Sequence, residues 1–522
     1  MNTDLDKLIR RWREGTLTDE ELHLLNETLS TTEGRAAMRD DCFLEAALPE
    51  VLRTSRLLKV AEQPPARMPT GWLSWRPLAA AAAVVAFAGG LVLGARFKTP
   101  TPASAEKHEV LEDGVALLTH TVNAVWSGGH APRAGEIVSA GRLKLSRGLA
   151  QLEFYSGVRL LMEGPVELEL ISANRAVCHS GRIRAWVPPQ ARGFTVTAPE
   201  FELVDLGTEF GMEVGAESGS KVQVFDGEVE LHPMGASAAT RRLTEGAGLA
   251  WNRGTGTTAE IRTDPRAFPS FEDVRSHANE QAKERLAAWQ EWNRTLADDP
   301  RIAVRYDFEK LDGALLDTGP SRAHGTIIGC ERSNGRWAAK GALEFKRPGD
   351  RVRVNVPGTF ETITFSAWVR LDTTPGRIQG LLLTDGFEPG FPHWQISPLG
   401  ELRFGLRVVN AKGSPESTGY GSPEIFPPRR VGVWTFLATT YDNREGRVCH
   451  YVNGQQVSSA KLWRQQTQTI EIGQADIGNW ALPIAHDPYP IRNFIGRIDE
   501  LTLWKVALSE AQLHAIYQKT HP

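Results

Sequence analysis

Cysteine is scarce in this chain: four among 522 residues, at Cys42, Cys178, Cys330 and Cys449. None stands in a CxxC or Cys/His spacing, which argues against a thiolate metal site. Cys330 and Cys449 fall in one predicted domain. A disulfide between them is one reading; two separate buried thiols is the reading we expect. An excess of either charge is also lacking, since 59 Lys and Arg against 63 Asp and Glu leave a net charge of −4. No basic run appears, so neither a polyanion-binding signature nor direct nucleic-acid binding is expected. The start MNTDLDK is polar and lacks the apolar segment of a cleaved signal peptide. No Ser/His/Asp constellation is recognisable, and no catalytic residue is assigned.

Long apolar runs are absent except at one place. Residues 78–95 form 18 uncharged positions: eight Ala, three Gly and seven larger apolar residues. As a helix the run spans roughly 27 Å, close to the thickness of a bilayer's hydrocarbon core. We expect a transmembrane helix over 77–95, the alternative being a buried Ala-rich core helix. Lys59, Arg67 and Arg76 before it balance Arg96, Lys98 and Lys107 after it, so flanking charge does not set the orientation. The short leading segment and the long chain beyond favour a cytoplasmic N-terminus, with everything after about residue 96 on the far side of a bacterial inner membrane. Gly90 and Gly94 give a GxxxG spacing that suits a homodimer.

Residues 1–63 read as a small helical segment. Thr18 and Glu21 make a capping box before Leu22, Leu25 and Leu29. So small a bundle suits docking to a cytoplasmic partner. A linker over 64–76 carries Pro64, Pro65 and Pro69.

Beyond about 105 the pattern changes to alternating strands separated by turns. Val222 to Phe225, Asp226-Gly227, then Glu228 to Leu231 reads as a hairpin, because Gly accepts the positive φ of a tight turn. Asp205 and Thr208 in Asp205-Leu-Gly-Thr-Glu-Phe210 read as structural groups bonding local amides, with Gly207 as a bend. His179 reads as a strand-end histidine. Gly157-Val-Arg-Leu-Leu-Met-Glu-Gly-Pro165, Gly193-Phe-Thr-Val-Thr-Ala-Pro199, the segment from Asp205 to Phe210 and Val224-Phe-Asp-Gly-Glu-Val229 resemble the FecR family of membrane-anchored regulators. The resemblance covers an all-β domain at 105–263. It implies that the N-terminal segment binds an extracytoplasmic-function sigma factor and that the exported part receives a signal.

Over 268–298 the chain reads as a connecting helix capped by Ser270, with Phe271, Val274, Ala278, Ala282, Leu286, Trp289 and Leu296 at helical spacing. Packing between two β-domains and holding them apart fit this pattern equally. Residues 301–520 return to alternating strands. Asn453-Gly454 suits a type I′ turn, and Ser509 with Gln512 opens a final helix. Tyr306-Asp-Phe-Glu309, Gly341-Ala-Leu-Glu-Phe345, Phe365-Ser-Ala-Trp-Val-Arg370, His450-Tyr-Val-Asn-Gly454 and Phe494-Ile-Gly-Arg-Ile-Asp-Glu500 resemble the LamG-like, concanavalin A-like jelly rolls. The fold class expected is therefore multidomain: a small all-α N-terminal segment, one transmembrane helix, an all-β FecR-like domain, a linking helix and an all-β sandwich.

The jelly-roll resemblance implies a glycan or protein ligand, and in some members a structural calcium. Asp307, Glu309 and Asp499 are the oxygen donors it suggests, short of the six to eight that calcium takes. A strand-pinning role for Asp499 is the competing reading, and the one favoured here. His393 and Trp394, with the loop carrying Asn479, Trp480, His486, Asp487 and Tyr489, are the candidate ligand residues, since an aromatic beside polar groups suits a sugar face. Trp368, Trp434 and Trp504 sit in strand patterns and are expected in the core. Relatives of this fold include glucanases with a Glu-x-Asp-x-x-Glu strand. Arg497 and Thr502 stand where both glutamates belong, so a glycan hydrolase is the least favoured reading. The expected function is anti-sigma-type signalling with a ligand-binding jelly roll. The alternative is an envelope adhesion or scaffold protein.

Overall fold

A computed structural model describes residues 114–522, except 129–130, 216, 235–238, 312, 374–375, 410–411, 463–468 and 481–490. The readings made for residues 1–95 lie outside the described residues. Among the described residues, no helix is long and apolar enough to cross a membrane.

The first module is all β, with thirteen strands joined through pairing. Its strands are longer than the alternation suggested: Gly141–Phe154, Arg159–Ser172 and Arg175–Trp186 hold 14, 14 and 12 residues. Bulges let one strand serve both ends of the module, with register breaks at Leu145/Leu149 and Glu163/Glu167. Apolar positions such as Leu152, Leu160, Leu168, Phe194, Phe210 and Val224 are buried together.

The Asp226-Gly227 hairpin does not form. Strand Gly219–Asp226 pairs with Glu209–Gly215 and Ala247–Trp251, whereas Glu228–Pro233 pairs with Phe201–Asp205 and Arg241–Thr244. Gly227 takes φ 77°, and a Cβ there would come within 2.7 Å of the Gly207 carbonyl oxygen. The glycine serves a close crossing at which the chain changes partners, not a two-residue turn. Gly207 is the expected bend, with φ 100°, and its amide donates to Asp205 Oδ1. Burial raises the Asp205 carboxyl to about 7 against the pull of these local amides. His179 lies inside the strand Arg175–Trp186, not at its end, and bonds Glu169 at 2.8 Å. Cys178, Cys330 and Cys449 are separate free thiols.

The second module is a jelly-roll sandwich of antiparallel strands. One layer runs Pro415–Glu424, Glu401–Val409, Pro392–Ile396, Gln379–Thr384, Ile470–Ile477 and Arg351–Phe360. The other runs Ile302–Leu311, Gly496–Trp504, Thr362–Leu371, Thr435–Asp442, Arg447–Val452 and Gln455–Lys461. Between them lies a core in which Phe365 meets Trp394 and Phe404 at 5.8 and 5.5 Å, and Phe404 meets Tyr441 at 5.9 Å. Asn453 and Gly454 take φ 53° and 78°, as a type I′ turn requires.

Helix α1 (Phe271–Thr295) has the full capping box at Ser270 and Asp273. Its first half lays Val274, with Phe271 and Ala278, against Val122, Leu149 and Leu161 of the first module. Farther along, Trp289 is fully buried and Trp292 and Leu296 join the jelly roll's outer cluster of Trp368, Phe436 and Trp504. Helix α2 (Glu510–Thr520) completes that cluster through Leu513, Ile516 and Tyr517. The connecting helix therefore packs on both modules. Further contacts also join them: Arg133 lies over the Tyr517 ring at 5.7 Å, and Arg429 reaches Glu136 at 4.0 Å.

Candidate functional site

Alternation decides which jelly-roll side chains face outward. In the helix-covered layer, Glu500 and Trp504 point away from the core toward α1 and α2. Trp289 Nε1 donates to Glu500 Oε2 at 3.1 Å, and Trp368 Nε1 donates to Thr520 at 3.0 Å. Trp368 and Trp504 are thus buried, but outside the sandwich and beneath the helices. Trp434 is only half-buried there.

The three carboxylates that the jelly-roll resemblance suggested for calcium are engaged by the chain's own cations and amides. Lys340 Nζ, fully buried, donates to the carbonyl oxygens of Asp307 at 2.6 Å and Asp499 at 2.7 Å, and reaches Glu309 Oε1 at 3.5 Å. Asp499 accepts from the Arg336 amide at 2.7 Å and from the Arg336 guanidinium. Asp307 accepts from Asn293 Nδ2 at 3.1 Å, and Glu309 from the Gly341 amide at 3.0 Å. The chain's own cations occupy the ground a divalent ion would need. Burial pushes the Lys340 ammonium down while Asp499 pulls it back. For Glu500, burial acts to raise the carboxyl, but Arg336 and Arg305 hold it down to about 2. Among the described residues, no group of three His, Cys, Asp or Glu is placed to hold a metal. Asp499 ties the last strand to the connection carrying Arg336 through that residue's amide and guanidinium.

The carboxylates of the last strand are likewise engaged. Arg497 pairs with Glu344 at 3.2 Å, Thr502 is buried, and Glu500 is bound by Arg336 at 2.6 Å and Arg305 at 3.3 Å. No pair there is free to flank a glycosidic bond.

The opposite layer carries the other candidates. Trp394 is fully buried in the core, donating from Nε1 to Thr439 Oγ1 at 2.9 Å, so it offers no face to a sugar. It was misplaced because strand Pro392–Ile396 is buried on both sides, which hides the alternation. His393 points the other way. Its ring stacks on Phe387 at 4.2 Å and meets the edge of Trp480 at 4.7 Å. Arg492 lies over Trp480 at 4.2 Å and donates to His393 Nδ1 at 3.0 Å and Gln395 Oε1 at 3.1 Å. Both His393 Nε2 and Trp480 Nε1 reach the Thr384 carbonyl, at 3.1 and 2.9 Å. With Nδ1 accepting, the proton sits on Nε2. Burial, then Arg492, push the imidazole down to about 3, so it is neutral. Asn479 joins this cluster by accepting the Trp480 amide at 2.8 Å. His393, Asn479 and Trp480 are therefore brought together, but as a packed wall with His393 only 1% exposed. His486, Asp487 and Tyr489 lie outside the described residues, as does Trp463.

Beside this wall the sheet is bare. Gly405 pairs with His393 on one side and Gly419 on the other, and Arg403 pairs with Gln395 and Gly421. Gly419, Gly421 and Arg403 are exposed, and Gly405, Arg407 and Phe387 half-buried. A Cβ on Gly405 would come into ordinary contact with His393 and Phe387 at 3.7 Å, so Gly405 lies at the foot of the wall and a small side chain there would need no rearrangement. Arg407 Nη1 donates to the Phe387 carbonyl at 3.4 Å. Farther along the same layer, Arg353 grips Asp385 at 2.6 Å and Asp476 at 3.2 Å. Arg403, Arg407, Arg492 and Phe387 were not singled out from sequence. The available signal was the strict alternation of strand Glu401–Val409, whose apolar residues are Leu402, Phe404, Leu406 and Val408.

Residues 349–514 match the family described as the concanavalin A-like lectin/glucanases superfamily. This part of the chain is a LamG-like jelly roll; the match does not take in 105–263. Among curated proteins nothing matches. Among solved structures, the chain is similar to the receptor binding domain of botulinum neurotoxin C/D mosaic serotype, at 15% identity and TM-score 0.33 over 42% of this chain and 51% of that one. It is similar to the binding domain of Paraclostridial Mosquitocidal Protein 1, at 13% and 0.33 over 42% and 52%. A third is the botulinum neurotoxin serotype D ligand binding domain in complex with N-acetylneuraminic acid, at 15% and 0.33 over 42% and 50%. The chain spans about half the length of these structures, and at such scores nothing about a ligand follows from them.

Proposed function

We propose that the jelly roll is a glycan-binding module whose ligand lies on the outer face of the layer containing Gly405, beside the His393–Trp480–Arg492 wall. The observation that carries this reading is the exposed polar strip of Gly419, Gly421 and Arg403 beside that wall, with half-buried Gly405 and Phe387 at its edge. The opposite layer's outer face is closed by α1 and α2. A pre-formed concave or flat polar surface with an aromatic rim is what a sugar ring needs. Filling that edge tests it. In the full-length protein, Gly405→Leu is expected to weaken glycan binding on an array by about tenfold or more, since a methylene-sized clash is worth 1–3 kcal/mol. Its melting temperature is read alongside, because the added side chain also meets His393 and Phe387. Glycan binding that survives this substitution unchanged would place the ligand elsewhere.

We read the whole chain, further, as a single-span regulator of the bacterial inner membrane, with residues 1–63 cytoplasmic and holding a sigma factor. The run at 78–95, the FecR-like motifs in order and a helix packed on both β-modules support this reading. A ligand that favours one state of the exported part would act through differential affinity. Tags at the two termini are expected to be accessible from opposite sides of the membrane, and the intact protein to co-purify with a sigma factor. Opposite-side tags without that partner would favour an envelope adhesion or scaffold role. Tags sharing one side would end the signalling account.

A further inference from the structure

The glycan reading can be deepened by the charges on the same face. The layer's outer surface carries Arg351, Arg353, Arg403 and Arg407. The first two are neutralised locally: Arg353 by Asp385 and Asp476, and Arg351 by Asp476 at 3.8 Å. Arg403 and Arg407 differ. Neither forms an ion pair among the described residues, and Arg407 spends one N–H on the Phe387 carbonyl at 3.4 Å. The Arg403 guanidinium lies along the neighbouring strand, where its Nη2 is 3.1 Å from the position a Cβ on Gly419 would occupy. Glycines at 419 and 421 therefore leave the fork flat on the sheet with its outer side to solvent. The nearest acid on the strand, Glu401, accepts from Ser397 Oγ at 3.1 Å. His393 adds no charge, since its ring nitrogens serve Arg492 and the Thr384 carbonyl.

Two forks without an ion pair among the described residues thus stand four residues apart on one strand, with Gly405 between them and Phe387 at its side. At about 3.3 Å per residue their Cα atoms are roughly 13 Å apart, the reach of a short oligosaccharide. Guanidinium presents paired donors that match a carboxylate in two parallel bonds. We propose that the ligand of this face is an acidic saccharide, its carboxylates taken by Arg403 and Arg407 while a sugar ring lies over Gly405. This rests on the reading that the face binds glycans.

The test uses the full-length protein and three probes: an oligogalacturonate, the same oligomer with its carboxyl groups reduced to alcohols, and a sulfated derivative of that reduced oligomer. The expected result is binding of the oligogalacturonate at least about tenfold tighter than the reduced form, as a charge-assisted hydrogen bond implies. Arg403→Gln and Arg407→Gln should each remove most of that preference and leave the melting temperature unchanged. Equal binding of acidic and reduced oligomers would overturn the acidic-ligand inference while the glycan reading stands. Sulfated oligomer bound as tightly as uronate would overturn its carboxylate assignment. If the protein binds no probe and no array saccharide, the glycan reading itself fails and takes this inference with it.

Discussion

Alanine at position 336 is expected to destabilise the jelly roll by about 3–5 kcal/mol, the usual effect of removing one partner from a buried ion pair. Arg336 has no exposed side-chain surface, and its partners Asp499 and Glu500 have 0% and 8%. Its amide and guanidinium both serve Asp499, while Nη2 serves Glu500 at 2.6 Å. Three indoles surround it, Trp337 at 4.8 Å, Trp368 at 4.9 Å and Trp289 at 5.5 Å. Removing the guanidinium leaves two carboxylates in a dry site with Arg305 and Lys340 alone to offset them. The loss should therefore come mainly from stranded charge rather than lost volume. Arg336→Met, which keeps much of the volume, should be nearly as damaging. Adding Asp499→Asn and Glu500→Gln to it should recover a large part of the loss. Urea unfolding followed through tryptophan fluorescence measures all three. A cost below 1 kcal/mol for alanine would show that water or rearrangement compensates the cluster.

Acid should weaken the fold through two buried imidazoles, His393 and His450. Burial lowers His450 to about 4, against the pull of the Tyr420 carbonyl, and His393 sits at about 3. In the unfolded chain both titrate near 6.5. Below that pH the unfolded state binds protons that the native state refuses, so stability falls as pH falls. The loss runs from pH 6.5 to about 4 for both residues, and on to about 3 for His393 alone. Roughly 3 kcal/mol for His450 and 5 kcal/mol for His393 are at stake at one unit per 1.36 kcal/mol, as orders of magnitude. His120 and His521 are lowered too, chiefly by burial, and add in the same direction. Glu500 behaves oppositely. Held down to about 2 from an ordinary 4.5, its contribution is complete above 4.5 and disappears only as pH falls from there through 2. Asp205, raised by burial to about 7 from an ordinary 3.8, works against the imidazoles, because its native carboxyl binds a proton first and gains stability as pH falls from 7 to 3.8. Two imidazoles against one carboxyl still leave the midpoint in urea falling between about pH 6.5 and 4.5, and His450→Gln should flatten that slope. A His450→Gln variant with the parent's slope would mean that this imidazole takes up its proton in the native state.

Much of the sandwich is legible because its signals are local. Asn453-Gly454 demands positive φ at two successive residues, and alternation in Glu401–Val409 or Thr362–Leu371 reports which side is wet. The long helix was readable from its cap and its 3.6-residue spacing, and even Trp289 fell on the apolar stripe. Where the reading failed, the cause was non-local. Asp226-Gly227 looked like a turn because nothing nearby reveals that the two strands take different partners. Lys340 and Arg336 sit in a short irregular connection, 159 and 163 residues from the Asp499 they serve, so no window of sequence could join them. Trp394 reads as a ligand-facing aromatic because a strand buried on both faces loses the period that marks it. At the candidate site, three of the seven proposed ligand residues gather as a wall, and the strip beside it places Arg403 along glycines of the next strand, a pairing that no local pattern reveals.

Where helix α1 belongs has a practical consequence. Trp289 fills a seat made by Trp337, Arg336, Lys340 and Glu500, although it precedes the first strand of the sandwich by more than a dozen positions. Cutting the gene at residue 301 would leave that seat as an open, charged socket rimmed with indole. An excised lectin-like piece would be expected to clump or to borrow a neighbour's helix. Dissection that keeps residues from 270 onward carries its own plug.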